Sequence, residues 1–181
     1  AHFARSFRCH GIDPGSGAFV RLGSNCRLPE LSAALGLRQL TRLREGVAAR
    51  QALAEYYRRE LAGLDGCRLV LAPAGQTHPY YKLPLVLPAG VSRESLAARL
   101  RREHGVQVGG AYWPPCHLEP YYRDNHGCRP GHLPVAEEVL ARTISLPLHA
   151  GMGVDDVALV AAALRSVLGS APGSASTDGV G

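Results

Sequence analysis

Apolar positions with helical spacing dominate the first half of the chain. They fall at Leu31, Leu35, Leu40, Leu43 and Val47, and the same face continues through Ala54, Tyr57, Leu61 and Leu64. This spacing predicts one long helix from about Pro29 to Leu64, with Gly66 ending it. Pro29 suits the first turn because its missing N–H is no loss there.

Shorter segments make up the rest of the pattern. The predicted strands are 67–72, 80–88 and 106–113, with a further extended segment at 144–149, and the predicted helices are 92–105, 134–142 and 154–168. Ser92 is suited to cap the first of these helices and Gly105 to close it, and Pro84 indicates that its strand is an edge or is interrupted. The fold class is therefore α+β: a small antiparallel sheet covered by helices, with a long helix leading into it.

Composition and charge exclude two classes of partner. The 181 residues, 46% of them hydrophobic, suit one domain, or one domain with a piece of another. The net charge is +5, but Lys82 is the only lysine, and the arginines alternate with acids along the predicted helices. Since nucleic-acid-binding proteins cluster their basic residues, we expect no nucleic-acid partner. No apolar run approaches the roughly 18 residues of a membrane helix, so we expect no membrane partner.

The cysteines predict reduced thiols. There are five, Cys9, Cys26, Cys67, Cys116 and Cys128, with no CxxC pair and no signal-peptide pattern at the start of the chain. An odd, scattered set of this kind is typical of a cytoplasmic protein. Cys9 and Cys116 each precede a histidine, but these spacings match no common zinc site, so we predict no metal site.

The start of the chain predicts a fragment. The first residue is Ala1, the only methionine is Met152, and a first helical pattern, carried by Phe3 and Phe7, opens without a cap. Gly11 is suited to end that helix. We therefore expect this chain to be part of a longer protein.

A polar loop stands directly before the long helix, in the stretch GSNCRLPELSAALG at 23–36. Backbone N–H groups point outward at a helix N-terminus, so Asn25 and Arg27 lie where an anion is favoured. The alternative is a capping loop with a solvated arginine.

Three segments in the same order and spacing resemble one family. GSNCRLPELSAALG resembles the stretch G-x-N-x-R-[ML]-x-E-[LF]-x-A-A-x-G of the DegT/StrS group of fold-type-I, pyridoxal-phosphate-dependent sugar aminotransferases. YWPPCHLEPYYR resembles the segment of that group that ends in His-Leu-Gln-Pro, with Glu119 in place of the glutamine. SLPLHAGM resembles its S-L-P-L-H-P-G-M-T, with Ala150 in place of the proline and Gly153 in place of the threonine.

The resemblance implies a domain organisation. Residues 1–28 would be the end of the large cofactor-binding domain, 29–168 the linking helix with the small C-terminal domain, and 169–181 a tail without apolar periodicity, predicted to be disordered. In this family the lysine that binds the cofactor lies in the large domain, ahead of these segments. We therefore assign no catalytic residue here, and we interpret Lys82 as a lysine on a sheet surface.

The resemblance also implies an activity and its partners. An intact enzyme would transfer an amino group from glutamate or glutamine to a keto sugar, usually nucleotide-linked, using pyridoxal 5'-phosphate in a homodimer whose site is shared across the interface. Asn25 and Arg27 would contact the cofactor phosphate of the other subunit. His117 would face the substrate, hydrogen-bonding a sugar hydroxyl or a diphosphate oxygen; the alternative is a loop histidine satisfied by the backbone.

Two other functions stay open at this point. One is a related sugar dehydratase, in which a histidine replaces the cofactor-binding lysine. The other is a non-catalytic domain that serves dimerisation or regulation. The residue that separates the first alternative from an aminotransferase lies outside the 181 residues.

Overall fold

The computed structural model describes residues 1–169. Residues 170–181, most of the segment for which disorder is predicted, lie outside the described residues, and Gly169 is the last residue of a helix. The chain forms two compact units, Ala1–Arg44 and Glu45–Gly181. The long helix α2, Glu30–Glu60, contributes residues to both units.

The first unit begins with the short helix α1, His2–Phe7, in which the rings of Phe3 and Phe7 stack 6.0 Å apart. The helix ends at Phe7, with Arg8 as its C-cap, not at Gly11 as the sequence suggested. Gly11 instead has a positive φ of 81°, and a Cβ there would lie 1.8 Å from the carbonyl oxygen of Arg21. This glycine therefore permits two chain segments to cross at close range.

The second unit holds the sheet and the remaining helices. Its strands are β1 (Arg68–Leu69), β2 (Leu83–Val86), β3 (Gly109–Gly110) and β4 (Thr143–Leu146). Its further helices are α3 (Arg93–His104), α4 (Pro120–His126), α5 (Pro134–Ala141) and α6 (Val154–Gly169). The strands pair antiparallel in the order β1-β2-β4-β3, which confirms the α+β class and the antiparallel sheet.

The pairing of β2 with β4 forms the centre of the sheet. Leu85 lies opposite Ile144, and every residue of β4 is buried. The core continues onto the helices, where α3 contacts α6. Its most deeply buried large side chains are Tyr57, Leu83, Leu85, Leu87, Leu100, Ile144 and Leu164. Burial of these apolar surfaces is what holds the sheet and helices together.

Pro84 lies in an interior strand, whereas the sequence indicated an edge or an interruption. Its carbonyl accepts a hydrogen bond from the Val70 N–H at 2.9 Å, so its ring nitrogen also faces the β1 side. β1 ends one residue earlier, at Leu69. The missing N–H therefore costs one bond at the end of a ladder, and the β2–β4 side is unaffected.

Other boundaries differ from the sequence pattern. Helix α2 ends at Glu60 instead of Leu64, and β3 contains two residues of the eight expected. The segment after β3 contains a 3-10 turn, Cys116–Leu118, and helix α4, neither of which the sequence pattern predicted. Within residues 1–169, no helix is long and apolar enough to cross a membrane. In the same range, no three His, Cys, Asp or Glu side chains are grouped to hold a metal ion.

Candidate functional site

The GSNCR loop of the first unit is fixed by its backbone. Cys9 and Asn25 pair in an antiparallel bridge, and the Cys26 N–H donates to the Arg8 carbonyl at 3.0 Å. The Ser24 N–H donates in turn to the Phe7 carbonyl at 2.8 Å. This loop therefore has a defined conformation before helix α2 begins.

Gly23 allows the loop to lie so close to its neighbour. A Cβ at this position would lie 2.1 Å from the Gly11 nitrogen and 2.6 Å from the Phe7 carbonyl oxygen. No side chain other than hydrogen fits there without moving backbone atoms. The glycine that opens the sequence motif is thus required by packing, just ahead of Asn25.

Asn25 and Arg27 are both exposed. Nη2 of Arg27 lies 2.9 Å from the sulfur of Cys9, a contact that sequence reasoning did not predict. It follows from the bridge between Cys9 and Asn25, because that pairing brings the two segments side by side. An amide and a guanidinium together offer donors and positive charge, a set that fits a phosphate group.

His117 lies in the second unit, in the 3-10 turn Cys116–Leu118. It is 8% exposed, and its Nε2 lies 2.9 Å from Oε1 of Glu137 in helix α5. Short-range sequence patterns do not reveal this pair, since the two residues are 20 positions apart. His117 is therefore satisfied on one ring nitrogen by a carboxylate, not by the backbone.

Glu137 also organises the chain segment before its own helix. Its carboxylate accepts hydrogen bonds from the Gly131 N–H at 2.9 Å and from the Leu133 N–H at 3.2 Å. The Gly131 amide and then the His117 ring hold the pKa of Glu137 below its usual range, because both stabilise the charged carboxylate. One carboxylate thus connects His117 to the residues that lead into α5.

Lys82 is half-buried next to the edge strand β3. Its Nζ donates to the Gly110 carbonyl at 3.3 Å and lies 4.2 Å from the centre of the Tyr112 ring. The hydroxyls of Tyr112 and Tyr81 are 2.7 Å apart, and this bond raises the pKa of Tyr81. Both contacts of the ammonium suit a lysine on a sheet surface.

The predicted site residues belong to different units. Asn25 and Arg27 lie in Ala1–Arg44, and His117 lies in Glu45–Gly181. Within the second unit, His149 accepts a bond from the Gly151 N–H at 3.3 Å, as a turn residue does. Trp113 stacks under the guanidinium of Arg93, 4.9 Å from the ring centre.

Comparison with known proteins identifies the family. The model of the DegT/DnrJ/EryC1/StrS aminotransferase family matches residues 1–165. The chain belongs to this family, as the three sequence segments indicated.

Relatives and a solved structure agree with that result. The spore coat polysaccharide biosynthesis protein SpsC of Bacillus subtilis is 30% identical over 149 residues, which cover 81% of this chain and 38% of that protein. The dTDP-3-amino-3,4,6-trideoxy-alpha-D-glucose transaminase of Micromonospora megalomicea subsp. nigra is 30% identical over 171 residues, covering 93% and 45%. The crystal structure of the aminotransferase TlmJ from Streptoalloteichus hindustanus superimposes with a TM-score of 0.77 and 32% identity, covering 92% and 44%.

The alignments also show what share of each relative's length this chain covers. The chain spans less than half the length of each of these three proteins. The fold and the family are therefore shown for the matched part of these proteins.

Proposed function

We propose that this chain is the C-terminal part of a cytoplasmic, pyridoxal-phosphate-dependent aminotransferase that transfers an amino group from glutamate or glutamine to a nucleotide-linked keto sugar. The observation that carries the proposal is the family match over residues 1–165, together with the similarity to a named sugar transaminase. When bound, the cofactor supplies the electron-withdrawing chemistry that moves the amino group. The residues of this chain would bind the cofactor phosphate and orient the sugar.

Asn25 and Arg27 would hold the phosphate of the cofactor. This role is supported by the hydrogen-bond donors of an exposed amide and an exposed guanidinium, which lie on a loop held by the Cys9–Asn25 bridge. In a homodimer, the cofactor would be that of the partner subunit, so each site would need both chains. Arg27 contributes mainly charge, while Asn25 contributes directed hydrogen bonds.

His117 would face the sugar. This role is supported by the buried ring of His117: Glu137 contacts one ring nitrogen, which leaves the other nitrogen for a ligand. In this proposal the loop that carries His117 forms one wall of the substrate pocket.

The 181-residue chain alone would not catalyse the reaction. Its single lysine, Lys82, is hydrogen-bonded to the Gly110 carbonyl, and its ammonium lies over the Tyr112 ring. Borohydride reduction of the chain mixed with pyridoxal phosphate should therefore leave no specific label. Stoichiometric label at Lys82 would contradict this assignment.

The experiment that tests the cofactor role is the substitution Asn25→Ala in a protein that contains this chain with the remainder found in its relatives. Loss of a hydrogen bond to a charged group costs about 1.5–3 kcal/mol, so pyridoxal phosphate should bind roughly tenfold to a hundredfold more weakly. The matched control is Asn125→Ala, which removes another exposed amide, bonded only to the Tyr121 carbonyl at 2.9 Å within the described residues.

Complementation tests the shared site. Mixing the Asn25→Ala protein with a variant that lacks the cofactor-binding lysine should restore one competent site per heterodimer. Unchanged cofactor binding by Asn25→Ala, or failed complementation in heterodimers that form, would contradict the role across the interface.

The product assay separates the aminotransferase from the alternative dehydratase: an amino sugar supports the aminotransferase, and a dehydrated sugar supports the dehydratase.

A further inference from the structure

We propose that Glu137 positions His117 so that Nδ1 of the neutral ring accepts a hydrogen bond from a hydroxyl group of the sugar substrate. This inference rests on the proposed function, and it chooses between the two ligand groups, a sugar hydroxyl and a diphosphate oxygen, that the sequence left open. Glu137 is a positioning residue in this account, since it would act on the ligand only through His117.

The chemistry of the pair determines the tautomer. An ionised carboxylate has no proton to donate, so Nε2 of His117 must carry the hydrogen in its 2.9 Å contact with Oε1 of Glu137. A neutral imidazole has one N–H and one acceptor nitrogen. In the neutral ring Nδ1 is therefore left as an acceptor, and it then suits a hydroxyl donor but not a diphosphate oxygen, which has no hydrogen to give.

The carboxylate is itself held in place. Gly131 donates its N–H to both oxygens of Glu137, at 2.9 and 3.0 Å, and Leu133 donates at 3.2 Å. Because these bonds favour the ionised carboxylate, Glu137 stays an acceptor for the ring. The carboxylate that contacts His117 is thus held in place by three hydrogen bonds from two loop amides.

The free nitrogen is accessible. Among residues 1–169, the buried side-chain nitrogen and oxygen atoms without a partner are Ser6 Oγ, Arg21 Nη1 and Arg93 Nη1. Nδ1 of His117 does not belong to this set, although none of the hydrogen bonds in the described part of the chain uses it. It therefore lies at the small part of the residue that remains exposed, where a ligand can reach it.

Nitrogen NMR of the 181-residue chain tests the tautomer without any ligand. At about pH 9, well above the usual imidazole pKa of about 6.5, the ring of His117 should show the Nε2–H form. Glu137→Gln should shift the populations toward a mixture, since the amide can present either an acceptor or a donor. The matched control is the neighbouring Glu138→Gln, which removes an exposed pair with Arg142 and should leave the His117 signal unchanged.

Either of two NMR results would overturn the positioning role: an Nδ1–H form in the unsubstituted chain, or an unaltered tautomer in a folded Glu137→Gln chain. The dispersion of the amide spectrum reports whether the variant is folded. If it is not, Glu137→Asp provides the second variant: it keeps the negative charge but shortens the side chain by one methylene group, so it should withdraw the carboxylate from Nε2 and perturb the His117 signal.

The second arm tests the ligand group in a protein that also contains the remainder found in its relatives. UDP-glucose and UDP both carry a diphosphate, but only the first adds hexose hydroxyls. Glu137→Gln should weaken UDP-glucose binding by roughly threefold to tenfold, as for one neutral hydrogen bond, and leave UDP unaffected. Equal loss for both probes, or no loss, would overturn the hydroxyl contact. Failure of both probes to bind the unsubstituted protein would count against the proposed function, while the tautomer result would still stand.

Discussion

At the scale of single residues, Tyr57 illustrates how one polar atom can link distant parts of the chain. Its side chain is fully buried, and its hydroxyl donates to the Pro147 carbonyl at 2.9 Å. Burial, and then the charge of Asp156, raise the pKa of Tyr57, so the hydroxyl stays protonated and a donor. The bond ties helix α2 to the extended segment after β4.

Tyr57→Phe should lower the free energy of unfolding by about 1–3 kcal/mol, because it leaves the Pro147 carbonyl without its donor. Chemical denaturation of the 181-residue chain measures this change. Tyr56→Phe is the matched control, since the Tyr56 hydroxyl forms no hydrogen bond within the described residues and that change should be nearly neutral. Equal effects of the two substitutions would contradict a specific role for the Tyr57 hydroxyl.

Glu137 should make stability depend on pH in the acid range. Its pKa is lower in the folded chain than in the unfolded one, so its contribution is fully present above the usual carboxyl pKa of about 4.3. The contribution is lost as the pH falls through the lowered value of the folded state. Glu137→Gln should therefore reduce Tm at neutral pH, and the difference from the unsubstituted chain should shrink on acidification.

Thermal unfolding followed at several pH values checks this prediction. Glu138→Gln serves again as the control. The Glu138 carboxylate is solvent-exposed where it pairs with Arg142, so this substitution should change Tm only slightly at every pH. A difference between the unsubstituted chain and Glu137→Gln that grows toward low pH has the opposite sign and would refute the assignment.

At the scale of elements, the well-predicted helix is the one whose ends carry local signals. Helix α3 begins after Ser92, whose Oγ accepts from the Ser95 N–H at 3.2 Å, and it ends at Gly105, which has a φ of 68°. Both signals act within a few residues, so sequence spacing alone reveals them. The short strand β3 is different, because its length depends on pairing with β4, far along the chain.

Ser92→Ala should destabilise the second unit by about 1 kcal/mol, the usual loss for a helix N-cap. The matched control is Ser95→Ala: it removes a hydroxyl three residues later but leaves the backbone N–H that donates to the Ser92 Oγ. Equilibrium unfolding of both variants compares them directly. If Ser95→Ala costs as much as Ser92→Ala, the hydroxyl of Ser92 does not act as a cap.

In the candidate site, too, the features that depend on neighbouring residues were predicted, and those that depend on contacts far along the chain were not. The loop before α2 was predicted from a glycine, an asparagine and an arginine in a short stretch, and the structure gives that loop a fixed backbone. The partners Cys9 and Glu137 were not predicted. Cys9 reaches Arg27 only through the bridge to Asn25, and Glu137 reaches His117 only after the chain turns back through α4. Contacts of this kind depend on tertiary pairing, which short-range patterns do not contain.

At the scale of the whole molecule, the first unit leaves much of its apolar surface exposed. The first part of α2, which carries the predicted apolar face, exposes Leu31 by 84% and Leu35 by 61%. The other large exposed hydrophobics of this unit are Phe3, Phe7, Phe19, Val20, Leu22, Leu28, Leu37, Leu40 and Leu43. A surface of this size is typical of one that another protein segment covers.

We therefore expect the 181-residue chain to self-associate in solution. Apolar side chains that are exposed on one helix face gain free energy when a second copy covers them, at about 25 cal/mol per Å² of buried apolar area. Replacing Leu35 and Leu43 together by glutamine should shift sedimentation toward the monomer while leaving the second unit folded, because both residues lie before Glu45. The matched control replaces Arg38 and Arg42, two exposed polar positions in the same part of α2, by glutamine, and should leave association largely unchanged. A clean monomer for the unsubstituted chain, or an equal shift from both double substitutions, would show that this leucine face does not drive association.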